Sequence, residues 1–463
     1  MRIPLHRYFI LITIIGLSSC ANIPEPRQDL RDGLASAPTT GALTAGMLLR
    51  ASESKKIPSR KPRALLTLAS PRILGSAIDM RVLDSLGYPQ WREEKKSELL
   101  DVQPVAISFL ASQPEGGMDR QSGMLYLPLD SSANGDRTGP RVITWIVFLK
   151  GTEHLKNNVP SRGGGSERAL METAAALGYA VWAPDYAGMG DSPGPQAYCV
   201  PESMAASALN GLEAARDYVR GLPLAYTESG RLSIMGYSQG GLAAMATLTS
   251  IADGLIPVPG LGVSAAYVLG APLDLMIGVP FLENKNSVIR RPDYNLLLVM
   301  GWARSYPDII KLEDILLPKV IRSVLPLYDG KRDGKELCRL IARAVDAKQD
   351  QVLDSDLYLP QYLWDIRHDP DSIPYYHAQS KARLDRWTPP SNLPIRLAAS
   401  PVDETVPFLN SERAFMYMKE NNPASDVVLV RLASASHGLA AVEGLLYALL
   451  DLDRQEPRKA ART

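Results

Sequence analysis

Apolar and polar positions alternate along the chain with two different periods, and the place where the period changes organises everything else. Residues 102–112 and 122–129 are apolar and β-prone, and Gln113 to Asp119 between them holds Pro114, Gly116 and Gly117. That pattern predicts an antiparallel pair joined by a turn. Residues 141–149 form a near-continuous apolar run of the kind buried on both faces of a parallel sheet. An alanine-rich helical stretch at 167–178 follows, then a strand at 179–184, a long helix at 202–219 and a short strand at 232–235. The small residues Ala243, Ala244 and Ala246 open another helix, and 264–270 reads as a further strand. Strand and helix in repeated alternation predict an α/β fold: a mostly parallel sheet covered by helices on both faces. Right-handed crossovers would collect the loops at one edge of that sheet.

After Pro272 the strand signal disappears. Residues 296–306, 309–325 and 336–347 have helical period, and 353–385 reads as helix fragments and turns rich in Tyr, Asp, Pro and His. The block is too long for one crossover, so 275–390 is expected to be a mainly helical cap inserted into the sheet domain. The sheet pattern resumes at 393–399, followed by a helix at 409–420, a last strand at 426–432 and a helix at 438–452. The core thus divides into 100–274 and 391–453. Residues 49–99 form a charged N-terminal extension with helix expected between Ile73 and Leu86, and 454–463 is a charged tail.

The first residues carry a different message. Arg2 and Arg7 precede an apolar run from Tyr8 to Leu17, and Ser18, Ser19 and Cys20 follow. A basic start, a short apolar segment and small residues make 1–19 a secretory signal. Leu17-Ser18-Ser19-Cys20 resembles a bacterial lipobox. The resemblance implies cleavage before Cys20, acylation there, and export with lipid anchoring to a bacterial membrane, inner or outer; an ordinary signal peptide is the alternative. Residues 20–48, rich in Pro, Ala, Gly, Ser and Thr, would be the tether. An oxidising compartment leaves Cys199 and Cys338 two options, one disulfide or two separate thiols.

Composition narrows the function classes. The 463 residues carry 50 Lys plus Arg against 50 Asp plus Glu, so no net charge points to nucleic acid. An organised basic-aromatic pattern is also missing. No H-E-x-x-H or other metal-ligand spacing occurs. Gly163 to Gly165 lack the G-K-S/T of a phosphate loop, and Gly188 to Gly190 lack the full dinucleotide fingerprint. Neither a metal nor a cofactor is implied.

What remains is acyl-transfer chemistry. Residues 236–240, Gly-Tyr-Ser-Gln-Gly, place G-x-S-x-G between a strand and a helix. A serine on so sharp a turn needs small neighbours, here Gly236 and Gly240, and the turn aims the Gln239 N–H where an oxyanion would form. A serine needs a base, and the base needs a carboxylate to hold its tautomer. Of His6, His154, His368, His377 and His437, it is His437 that follows the final strand. Asp403 follows the strand at 393–399 and is the expected orienting group, with Glu404 beside it as a rival. Asp185 is a weaker rival, expected to serve hydrogen bonding within the loop from Pro184 to Ser192.

Together, Trp182 to Gly190, Gly236 to Gly241, Asp403 to Pro407 and His437-Gly438 resemble the secretory lipase and esterase branch of the alpha/beta-hydrolases, over roughly residues 100–452. The resemblance implies cofactor-free hydrolysis of carboxylic esters, often hydrophobic or acyl-glycerol-like, with catalytic Ser238, Asp403 and His437. Such relatives commonly carry His-Gly-Thr after the strand equivalent to 141–149, where this chain has Lys150-Gly151-Thr152. Gly151 or Thr152 is the expected second oxyanion donor, through its backbone N–H. Lys150 either alters loop packing, attracts an anionic substrate group or stands in solvent as a loop lysine. An exported peptidase or amidase, and an inert lipid-anchored binding protein, are the competing readings.

Overall fold

The computed structural model describes residues 43–76, 78–129, 139–222, 226–277 and 287–456. The signal, Cys20 and most of the tether lie outside the described residues. Nine strands form one sheet: β1 (Leu48–Glu53), β2 (Asp101–Ser112), β3 (Met118–Leu129), β4 (Arg141–Leu149), β5 (Ala180–Pro184), β6 (Tyr226–Tyr237), β7 (Gly262–Leu269), β8 (Ile395–Ala399) and β9 (Val427–Arg431). Their spatial order is β1-β2-β3-β5-β4-β6-β7-β8-β9. The first three strands and β5 pair antiparallel in succession, and every pair from β5 through β9 is parallel. The hairpin turns at Gly116 and Gly117, whose φ values of +90° and +77° suit glycine.

The helices carried by this framework are α1 (Arg60–Leu68), α2 (Tyr88–Lys95), α3 (Arg168–Ala176), α4 (Pro201–Arg220) and α5 (Gln239–Ala252), then α6 (Pro292–Ser305), α7 (Gly334–Ala344), α8 (Pro360–His368) and α9 (Pro374–Lys381). The last two are α10 (Leu409–Asn421) and α11 (His437–Gln455), with shorter turns between.

The pleat explains why the strands are apolar throughout. Successive side chains point to opposite faces, and both faces are covered. Trp145, Val147 and Leu149 pack on one side with Trp182, Leu212 of α4, Leu242 of α5 and Met418 of α10. Ile146 and Phe148 pack on the other with Val181, Met171 of α3, Leu445 and Leu449 of α11, and Trp91 of α2. Each such fully buried large side chain contributes about 1.5–3 kcal/mol relative to exposure. The cap has an apolar cluster of its own, with Leu296, Trp302, Ile341, Leu363 and Tyr375 among its members.

Three differences from the sequence reading have physical causes. Part of the stretch assigned to tether and extension, Leu48–Glu53, adds as an antiparallel edge strand. It is only half covered, so its apolar signal is weak. The continuous helical period at 309–325 breaks at Pro318, which lacks an N–H and starts a new six-residue helix, while Leu316 bridges to Tyr358. Helix expected between Ile73 and Leu86 divides into Pro71–Leu74 and Arg81–Ser85.

Candidate active site

At the end of β6 the chain turns at Ser238, with φ +59° and ψ −122°, and α5 starts at the next residue. Few non-glycine residues tolerate such a backbone, and strain of this kind is held by its surroundings. The surroundings here are close. A Cβ on Gly236 would lie 2.2 Å from the Gly240 carbonyl oxygen, and one on Gly240 would lie 1.9 Å from that of Leu149. The Ser238 N–H donates to the Leu269 carbonyl at 2.8 Å, so the turn is wedged between the ends of β4 and β7.

His437 is the first residue of α11. Its Nε2 lies 2.9 Å from Ser238 Oγ, and its Nδ1 lies 2.6 Å from Asp403 Oδ2. An ionised carboxylate can only accept, so the proton between them sits on Nδ1 and leaves Nε2 free to accept from the serine hydroxyl. Asp403 Oδ1 accepts the N–H groups of Thr405 and Val406, each at 2.8 Å. Burial pushes this carboxyl up, but the His437 hydrogen bond and charge and these two N–H groups outweigh it, holding Asp403 below the usual aspartate value. The adjacent rival has another task. Glu404 Oε2 accepts the main-chain N–H of His437 at 2.9 Å, so Asp403 holds the ring and Glu404 the backbone.

Asp185 is fully buried elsewhere. Its Oδ2 accepts from the Ser122 hydroxyl at 2.6 Å and its Oδ1 from the Ser161 N–H at 2.9 Å. It therefore ties its loop to β3 and to the turn at Pro160–Arg162, a correction to the expectation of bonding within the loop.

The loop after β4 distinguishes its two candidate donors and corrects the reading of Lys150 as a solvated loop lysine. The Gly151 N–H donates to Glu167 Oε1 at 2.8 Å and is therefore occupied. Thr152 is held through its hydroxyl, 2.9 Å from that of Tyr198. Among the described residues, the N–H groups of Thr152 and Gln239 meet no protein acceptor. Lys150 is not a solvated lysine: it is 2 % exposed, and its Nζ lies 4.7 Å from the centre of the Tyr186 ring. Burial drives its pKa below the ordinary lysine value, more strongly than Glu153, Glu167 and Asp185 raise it.

Tyr237 was not singled out by the sequence. Its hydroxyl donates to the His437 carbonyl at 2.9 Å and lies 3.4 Å from both Asp403 Oδ2 and His437 Nδ1. The ring fits because Gly270, at φ +50°, has no Cβ; one there would lie 2.6 Å from Tyr237 Cζ. The available signal was its place beside Ser238, but which face it takes follows from the pleat alone.

A cavity of about 730 Å³ opens between Asp403 and Glu404 and the cap. Asp403, Glu404, Thr405 and Pro407 line one side, and Met276, Leu298, Tyr358 and Tyr362 line much of the rest together with Arg290 and Arg291. Cys199 and Cys338 are separate thiols, the second donating to Asp293 Oδ1 at 3.2 Å. Among the described residues no group of three His, Cys, Asp or Glu side chains is placed to hold a metal.

No curated protein sequence matches the chain. Solved structures do. A provisionally assigned hydrolase of Legionella pneumophila shares 19 % identity at a TM-score of 0.68, covering 90 % of this chain and 100 % of that one. The rice cell wall degrading esterase LipA of Xanthomonas oryzae shares 20 % at 0.65, covering 89 % and 98 %. Candida antarctica lipase A shares 14 % at 0.53, covering 85 % and 78 %. At these identities the likeness is one of fold. The alpha/beta hydrolase family itself matches residues 162–441, a stretch reaching from the turn before α3 into α11. Matched over more than half its length and folded as such proteins fold, the chain belongs to the alpha/beta hydrolase family.

Proposed function

We propose that the protein is a serine hydrolase of carboxylic esters, with Ser238 as nucleophile, His437 as base and Asp403 as its orienting carboxylate. The observation that carries this reading is the relay from Asp403 through His437 to Ser238, 2.6 Å and 2.9 Å long, ending on a strained serine. His437 Nε2 takes the Ser238 proton as Oγ attacks the ester carbonyl. The N–H groups of Gln239 and Thr152 receive the oxyanion; of the two candidates in the loop, Thr152 takes this role because the N–H of Gly151 is occupied. The imidazolium then gives its proton to the departing alcohol. Water, deprotonated by the same ring, releases the acid and restores the serine. Every step is a proton or acyl transfer within these groups, and none calls for a cofactor.

The substrate we infer is a hydrophobic ester, acyl-glycerol-like in chemistry. Its support is the cavity beside Asp403, in whose lining aliphatic and aromatic side chains outnumber the polar ones, Arg290, Arg291 and Glu404 among the latter. The structures similar in fold include an esterase and a lipase. Export and lipid anchoring at Cys20 belong to this proposal and rest on residues 1–20. Replacing Cys20 by Ala should abolish labelling by a palmitate analogue and release the protein from the membrane fraction.

The decisive experiment pairs a fluorophosphonate probe with a substrate panel. The wild-type protein should label and Ser238→Ala should not. Short esters and acyl glycerols should turn over faster than aminoacyl amides. Preference for the amides would replace the ester assignment with a peptidase one, and an unlabelled, folded wild-type protein would leave an inert scaffold.

A further inference from the structure

Three consecutive residues after β4 are each tied down by a side chain from outside the loop. The Tyr186 hydroxyl donates to the Lys150 carbonyl at 3.1 Å. Glu167 Oε1 accepts the Gly151 N–H at 2.8 Å, while its Oε2 accepts the Ser166 hydroxyl at 2.7 Å. The Tyr198 and Thr152 hydroxyls share a hydrogen at 2.9 Å. The two tyrosines are buried, at 1 % and 7 % exposure, so neither bond is freely exchanged with water. The loop also presses on the nucleophile helix: a Cβ on Gly240 would come within 2.9 Å of the Lys150 carbonyl oxygen.

Given the ester-hydrolase reading, on which this rests, we propose that Glu167, Tyr186 and Tyr198 are positioning residues that pre-organise the oxyanion loop. Glu167 has the central part. A carboxylate bound to a backbone N–H is a charge-assisted contact about twice as strong as a neutral one. It fixes the Lys150–Gly151 peptide, one peptide unit before the Thr152 N–H. The opposite reading of the same contact is a block: Gly151 N–H would be the true donor, and Glu167 would cover it. The two readings predict opposite signs for one substitution.

Steady-state kinetics of Glu167→Ala and Glu167→Gln on a short aryl ester separate them. Positioning predicts that Glu167→Ala lowers kcat by about 10- to 100-fold, less than the loss of a donor outright, with KM little changed. Glu167→Gln, whose amide oxygen still accepts, should recover most of the rate, and phosphonylation of Ser238 should follow kcat. A rise in kcat on Glu167→Ala overturns the proposal in favour of a block. An unchanged kcat in a folded Glu167→Ala protein overturns it as well. Should Glu167→Ala fail to fold, Tyr198→Phe carries the test, with reduced kcat at constant KM expected and wild-type kcat refuting it. Failure of the wild-type protein to phosphonylate at Ser238 would strike the underlying ester-hydrolase reading instead, and is recognised before any variant is made.

Discussion

Residues 236–241 and residues 150–152 pack against one another beside Ser238, yet they are fixed by different means. The first stretch is held by exclusion: backbone oxygens lie 1.9–2.4 Å from where side chains on Gly236, Gly240 and Gly241 would start. The second is held by attachment, through hydroxyls and a carboxylate from α4's approach, the β5 loop and the start of α3. Exclusion tolerates no substitution at the glycine. Attachment can be loosened one contact at a time.

Paired glycine substitutions test that contrast most harshly. Gly240→Ala puts a methyl 1.9 Å from a carbonyl oxygen that belongs to a central strand. It should cost about 3 kcal/mol or more and reduce ester turnover to background, read by thermal melting and kinetics. Asp403→Asn comes next. The ring loses its tautomer control while the fold persists, and kcat should fall by about 10⁴. The same variant has a pH signature. Asp403 is held below its ordinary value of 3.8, so its charged form stabilises the fold above that pH. That contribution fades as pH falls through the lowered native value, and acid unfolding curves of Asp403→Asn should be flatter there. Gly151→Ala should be far milder. Its Cβ meets Glu167 Oε1 at 3.1 Å, the end of a flexible side chain that can give way at the cost of its bond to the Gly151 N–H. The fold should persist and the loss of kcat should resemble that of Glu167→Ala, about 10- to 100-fold; a loss matching Gly240→Ala would erase the distinction.

Smaller effects sharpen the picture of the loop. Lys150→Met should stabilise the protein by about 1–3 kcal/mol in denaturant titrations near neutrality. The sign follows from linkage. The native amine has a lowered pKa, so between the ordinary lysine value of 10.5 and that lowered value the unfolded chain binds the extra proton. Stability is lost as pH falls through that interval, and the Met variant should lack this slope. The smallest effect is a reductant's: with Cys199 and Cys338 unpaired, dithiothreitol should leave the melting temperature unchanged.

The contrast between exclusion and attachment also sets what could be read from residue order. G-x-S-x-G is legible because sterics force glycines at fixed spacing around Ser238. Strands such as 141–149 are legible because burial on both faces demands unbroken apolarity. Asp403 and Glu404 are adjacent carboxylates, and only the turn that bonds Asp403 to Thr405 and Val406 decides which meets the ring. Gly151 and Thr152 could not be told apart without Glu167, 16 residues away on another element. Lys150 follows a buried strand directly, and charge alone suggested solvent, whereas the packing of Tyr186 against it is a tertiary fact. The half-covered edge strand β1 left too faint a pattern to detect.

The separate apolar cluster of the cap has a consequence for how such a protein changes over time. Leu275, Leu298 and Tyr328 pack against both that cluster and the one beneath α4 and α5. Away from this seam, substitutions in the two clusters share few neighbours, and their stability costs should simply add. Mutational drift can then remodel the lining contributed by α6, α8 and α9 while the turnover machinery keeps its tolerance for further change. The seam residues are where the two histories must agree.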